Sequence, residues 1–214
     1  MNYLRLLAIG AVTGLILTGS VAAQDREFDI VGMKLGASPE EIKKIASPEM
    51  ENTCVGGVKF GNININHMVG HSWSCENGPI TLVSAGFHDD KAIFFLKTVI
   101  TIGSETPPKK SDMNASLTAK YGEPDGVLQS SGEHAKFQQV IYWLGRGVTK
   151  SSFENAEAFE KECIQQPEQT IVNTECGITL IAYFSSNNSE TVDVAHTVVL
   201  VDNVAIGKGN MMKE

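Results

Sequence analysis

The sequence predicts an α+β protein: an antiparallel sheet with about three helices packed on one face, held by two disulfides. Runs of alternating apolar residues follow one another through hairpin signals, short capped helices separate the groups of strands, and four cysteines lie downstream of an export leader.

The leader comes first. Arg5 is followed by an apolar run from Leu6 to Leu17, by Thr18-Gly19-Ser20, and by Val21-Ala22-Ala23 with small residues where a signal peptidase reads. Cleavage is expected before Gln24, making residues 1–23 a signal peptide. Thr13, Gly14 and Thr18 interrupt the run before the roughly 20 apolar residues that a spanning helix needs. No cysteine follows Leu17-Thr18-Gly19, so the thiol that a bacterial lipoprotein acylates is missing and no stable membrane anchor is expected. The mature chain, 24–214, is expected to be a single domain, with two lobes dividing near residue 146, at Gly145-Arg146-Gly147, as the alternative. Periplasm or culture medium is the expected location.

Hydrophobic content of 42% and charged content of 20% suit a folded core. Arg5 is the only charge in the leader, so cleavage takes the net charge from −8 to −9. An acidic balance disfavours nucleic acid and anionic lipid, and Lys43-Lys44 and Lys109-Lys110 are isolated pairs rather than a basic patch.

Cys54, Cys75, Cys163 and Cys176 allow three pairings, among which sequence alone cannot choose. Local closure costs least chain entropy and favours Cys54 with Cys75 and Cys163 with Cys176. A metal site is the competing reading, but no Cys-x-x-Cys occurs and an oxidising compartment drives thiols to disulfides.

Along the chain, Ser38-Pro39-Glu40-Glu41 opens a helix that should stop before Pro48. Residues 58 to 75 read as extended, with Ile63, Ile65, His67, Val69, His71, Trp73 and Cys75 on one parity and a bulge or break at Gly61 and Gly70. Residues 80–88 and 91–100 form a hairpin turning at Asp89-Asp90, which would put Val83, Ala85 and Phe87 on one face with Ala92, Phe94 and Leu96. Asp-Asp is a poorer turn than Asn-Gly, so the register could slip. A second helix carries Met113, Leu117 and Tyr121 on one stripe and ends at Gly122. Gln139–Leu144 is a strand, and a third helix capped by Ser152 groups Phe153, Ala156, Phe159, Cys163 and Ile164 before ending at Pro167. Residues 178–185 and 191–201 form a second hairpin, and the tail from Gly207 should fray. Both halves run helix, cysteine, then strands, without an internal sequence repeat.

Val31-Gly32-Met33-Lys34-Leu35-Gly36-Ala37-Ser38-Pro39-Glu40-Glu41-Ile42 resembles the opening helix of small proteobacterial envelope domains, the assembly lipoprotein BamE and its β-lactamase-inhibitor-like relatives. Leu117-Thr118-Ala119-Lys120-Tyr121-Gly122-Glu123-Pro124 is similar to a later helix-ending element of such domains. The resemblance implies a periplasmic α+β domain whose relatives bind proteins. It carries over no functional residue, and the missing lipidation cysteine departs from BamE itself.

The sharpest local oddity is His67-Met68-Val69-Gly70-His71-Ser72-Trp73-Ser74-Cys75. On a strand, His67 and His71 lie about 13 Å apart, too far for one metal ion unless Gly70 folds the chain back. His196 alternates with apolar residues and reads as a core histidine, and His134 sits in a polar loop. Tyr142-Trp143 is a candidate recognition surface at a strand end. Gly-x-Ser-x-Gly, Ser-x-x-Lys and phosphate-loop patterns do not occur, so no catalytic residue, cofactor or metal is assigned. The expected function is an exported protein-binding module acting on another protein. The alternative is a small extracytoplasmic hydrolase or metal-dependent enzyme using His67, His71 or His134.

Overall fold

A computed structural model describes residues 26–53, 59–65, 68–75, 80–130, 137–164 and 173–211. A small hairpin of β1 (Asp29–Ile30) and β2 (Met33–Lys34) comes first, then α1 (Pro39–Thr53). Four strands follow: β3 (Lys59–Ile65), β4 (Met68–Cys75), β5 (Ile80–His88) and β6 (Lys91–Ile100). Next come α2 (Lys110–Tyr121), β7 (Gly126–Ser130), β8 (Phe137–Leu144), α3 (Ala156–Cys163), β9 (Ile178–Ser186), β10 (Ala195–Asp202) and α4 (Asn203–Met211).

Strands β3 to β10 form one eight-stranded antiparallel sheet in the order β3-β4-β5-β6-β10-β9-β8-β7. It consists of two four-stranded meanders, each preceded by a helix, joined where β6 pairs with β10 from Ala195↔Ile100 to Val201↔Phe94. The two halves thus share a strand order and a preceding helix, although no sequence repeat announces it.

Helices cover both faces of the sheet, not one. On the first face, Ile42 and Ala46 of α1, Met113, Leu117 and Tyr121 of α2, and Phe28, Ile30 and Met33 of the hairpin pack on Trp73, Val83, Phe95, Trp143, Leu180, Phe184 and Leu200. On the second, Phe159 and Cys163 of α3 meet Val140, Tyr142, Leu144 and Ile181, while Ala205 and Ile206 of α4 meet Phe94, Val199 and Val201. The cause is visible in unbroken apolar runs such as Val140–Leu144 and Leu180–Phe184, whose strands must be covered on both sides. Each large apolar side chain fully buried this way contributes about 1.5–3 kcal/mol.

Local expectations fare unevenly. Ser38 and Glu41 form a reciprocal capping box, with Ser38 N donating to Glu41 Oε2 at 2.8 Å and Glu41 N to Ser38 Oγ at 3.3 Å. The helix continues through Pro48 to Thr53. Proline removes the hydrogen bond to the Lys44 carbonyl, and Lys44 is exposed, so water can take that place. Helix α2 ends at Gly122 with φ of 80°, as its sequence indicates. Helix α3 starts later than expected: Asn155, not Ser152, is the cap, its side chain accepting from Ala158 N at 2.9 Å. Residues 203–211 of the tail are helical.

The expected extended stretch gives two paired strands, Lys59–Ile65 and Met68–Cys75, and Gly61 and Gly70 sit in a regular ladder opposite Ser72 and Ile63. A Cβ on Gly61 would lie 3.3 Å from Ser72 Oγ, so this glycine admits a close cross-strand approach. Asp89-Asp90 is the two-residue turn, with φ of 48° and 56°. Phe87 pairs with Ala92 but Gly86 with Phe94, leaving Ile93 as an extra residue. That bulge sends Phe94 and Leu96 to the second face and brings Phe95 onto the face of Val83 and Ala85.

Cys163 and Cys176 are bonded, with Cα atoms 5.4 Å apart, tying the end of α3 to the turn before β9. This is one of the two expected bridges; Cys54 and the Cys75 side chain lie outside the described residues, as does the leader. Among the described residues no helix is long and apolar enough to cross a membrane.

Candidate functional site

His67 and His134 lie outside the described residues. His71 faces the first helix layer from β4, opposite Asn62 and Ala85, and its ring meets those of Phe87 at 5.3 Å and Trp73 at 6.1 Å edge to face. It is thus part of an aromatic cluster. Among the described residues no group of three or more His, Cys, Asp or Glu is placed to hold a metal ion.

Tyr142 and Trp143 are not an exposed recognition surface. They are 4% and 1% exposed, on opposite faces of β8. Tyr142 packs under α3, donating to Glu160 Oε1 at 3.1 Å; burial, then the Glu160 carboxylate, push its hydroxyl up to about 12. Trp143 Nε1 donates to the Gly122 carbonyl at 2.8 Å, fastening α2 to the sheet. A strand with apolar neighbours on both sides leaves neither ring free to face solvent.

Among the described residues, an arrangement with binding chemistry is a pocket of about 240 Å³ lined by Arg26, Glu27, Phe28, Lys34, Leu35, Arg146 and Ile178. Four stretches of chain meet there: the entry to β1, the end of β2, the residues after β8 and the start of β9. The β1–β2 hairpin turns through Val31 and Gly32 at φ of 56° and 78°, and Gly32 N donates to Asp29 Oδ1 at 2.7 Å. A positive φ is unfavourable for a β-branched residue such as Val31. The buried Phe28, Ile30 and Met33 anchor the strained turn, and Tyr121 OH and Lys120 Nζ reach back to Asp29 at 2.6 and 2.8 Å. The chain on either side of the hairpin, carrying Arg26 and Lys34, is therefore fixed over the sheet.

Arg26 donates to Asp125 Oδ2 at 2.9 Å, and the same oxygen accepts the backbone N–H of Leu144 at 2.8 Å, which braces Arg26 against the end of β8. Lys34 donates to Glu27 at 2.8 Å. That hydrogen bond and charge, with a weaker contribution from Arg146, hold the Glu27 carboxyl below its usual range. Both partners are solvated, so the pair is easily exchanged. Arg146 makes no ion pair among the described residues.

Arg146 stands on a rigid corner. Ile178 N donates to the Arg146 carbonyl at 3.0 Å, and Gly145 N to the Ile178 carbonyl at 2.9 Å. Gly177, at φ of 53°, comes so near that a Cβ would lie 2.4 Å from Gly147 C and Val148 N. Asn203 clamps this crossing from α4, its Nδ2 donating to the Gly177 carbonyl at 2.8 Å. A Cβ on Gly145 would be 3.1 Å from Phe28 and 3.3 Å from Ile178, so that glycine lets the apolar floor close up. The stretch Gly145-Arg146-Gly147 is thus a locked corner after β8, hydrogen-bonded to the start of β9. The site was invisible in the sequence because its cations are single residues at 26, 34 and 146, and only the fold gathers them.

Comparison with known protein families, with characterised proteins and with solved structures found no match to this chain.

Proposed function

We propose that the chain is an exported protein-binding module, acting in the periplasm or outside the cell, that grips an anionic group of its partner at Arg26, Lys34 and Arg146. The observation that carries this reading is the pocket itself: three cations around an apolar floor in a protein whose net charge is −8. In an acidic molecule a confined cationic cleft attracts a negative group locally while the rest of the surface repels it, which favours selective docking over general adhesion. The leader-like N-terminus and the Cys163–Cys176 bond support export. Kinship with BamE-like envelope domains, a part of this proposal, would fit such a role. The enzyme alternative gains nothing from His71, whose ring is packed among aromatics.

The test is site-specific photocrosslinking in cells from the position of Glu27, whose side chain is 81% exposed at the pocket rim. A discrete protein adduct that weakens when Arg146 is replaced by Gln is expected. No adduct, or one indifferent to Arg146, rejects the reading.

A further inference from the structure

We infer that the pocket receives the last residue of a polypeptide, its free carboxylate on Arg146 and its apolar side chain on Phe28, Leu35 and Ile178. This inference rests on the pocket being the docking site. Its size sets the first limit: about 240 Å³ is below the 300–1,000 Å³ typical of sites for drug-sized ligands and suits a single residue. Its lining sets the second, since the anion-binding groups and the apolar floor are neighbours within that one small volume. An internal Asp or Glu would fill the cationic part, but its apolar neighbour in an extended chain points to the opposite side. In a terminal Leu, Val or Phe the carboxylate and the apolar side chain leave the same Cα, so both halves of the pocket are filled together.

The cations divide the work. Arg26 is held by Asp125 and Lys34 is paired with solvated Glu27, whereas Arg146 has no ion pair among the described residues and a backbone fixed by the glycine crossing. A guanidinium on a fixed base presents two parallel N–H groups, the geometry a carboxylate takes. Lys34 can swing from Glu27 toward the incoming charge at little loss, because their pairing is a surface one.

The test is calorimetric titration of the purified protein with the pentapeptide Ser-Gly-Ser-Gly-Leu as the free acid, with its C-terminal amide, and with 4-methylpentanoate as a small acid of the same end chemistry. The free-acid peptide should bind, amidation should weaken it at least tenfold, and Arg146→Gln should weaken it as much while Arg146→Lys recovers part. Arg146 is exposed, and an unchanged melting temperature for both variants shows that the fold is intact. Equal binding of acid and amide, no binding of either peptide, or 4-methylpentanoate binding as tightly as the peptide overturns the inference. If the peptides fail while the Glu27 crosslink remains dependent on Arg146, only the chain-end assignment falls. If the crosslink fails as well, the docking reading falls with it.

Discussion

Trp73 and Trp143 hold corresponding places in the two halves of the sheet: each lies in the second strand of its meander, is 1% exposed on the first face, and directs its indole N–H at the helix preceding that meander. Trp73 donates to Ser47 Oγ of α1 at 3.4 Å, and Trp143 to the carbonyl of Gly122, which caps α2, at 2.8 Å. The shorter bond to a carbonyl is the stronger tie. Trp143→Phe should therefore destabilise by about 3 kcal/mol and Trp73→Phe by about 2 kcal/mol, combining lost packing with a lost hydrogen bond. Urea titration measures both, and a cost below about 1 kcal/mol for Trp143→Phe would contradict its role as the fastening of α2.

The bond between Cys163 and Cys176 closes a short loop with a sequence separation of 13. By chain entropy such a closure contributes about 3 kcal/mol. The double variant Cys163→Ala, Cys176→Ala should lose roughly that much in a denaturant titration. A loss near zero would mean that packing of Phe159 and Ile164 on Val140 and Ile181 already holds α3 in place.

What was legible in the sequence was chemistry local to a few residues. The Ser38–Glu41 box, the Gly122 stop and the turn at Asp89-Asp90 are each set by neighbours within a few positions, and their structures match their patterns. The pairing of β6 with β10 joins residues about a hundred apart, and no local signal specifies it. The bulge at Ile93 has no local pattern of its own, because each residue from Ala92 to Leu96 is apolar and either face would accept it. Those same unbroken runs were the available sign that a second helical layer, α3 and α4, must cover the sheet. The cationic pocket had no comparable sign, since Arg26, Lys34 and Arg146 become neighbours only through the β1–β2 hairpin and the glycine corner.

Asp89 and Asp90 both adopt φ values, 48° and 56°, that favour Asn and Gly in a two-residue hairpin. Replacing the pair by Asn-Gly should raise stability by about 1 kcal/mol by relieving backbone strain and the repulsion of adjacent carboxylates. A rise in the thermal midpoint checks this. An unchanged or lower midpoint would show that the bulge at Ile93, rather than the turn, dictates this end of the hairpin.

Gly103 and Gly177 separate two reasons for glycine. Both have positive φ, 79° and 53°, but a Cβ on Gly103 meets nothing within 4 Å whereas one on Gly177 would lie 2.4 Å from backbone atoms. Gly103→Ala should cost about 1 kcal/mol from conformation alone. Gly177→Ala adds a clash that only movement of the Arg146 corner can relieve, so it should cost well over 3 kcal/mol. It should also weaken crosslinking from the Glu27 position at temperatures where the variant is still folded. Equal costs at the two sites would refute the tight crossing.

Burial of neutral His196 should make the fold less stable as the pH falls below 6.5. It lies on the first face of β10, opposite Phe184 and Val99, with Nδ1 buried and without a hydrogen-bond partner. Burial, reinforced by the nearby Lys97 charge, lowers its pKa from 6.5 to about 4. Because the folded value is the lower one, the unfolded chain takes up the proton first as pH falls. Stability from neutral His196 is thus complete above about pH 6.5, declines between 6.5 and 4, and levels off below 4, where both states are protonated. The size of that decline is about 3 kcal/mol at most. His196→Phe should remove this component, so that the difference in unfolding free energy between wild type and variant narrows or reverses in the wild type's disfavour as pH drops through that window. Taking the difference between the two proteins cancels the titration of the groups they share. Parallel pH profiles for the two proteins between 6.5 and 4 would show that His196 finds solvent or a partner for its proton in the folded state.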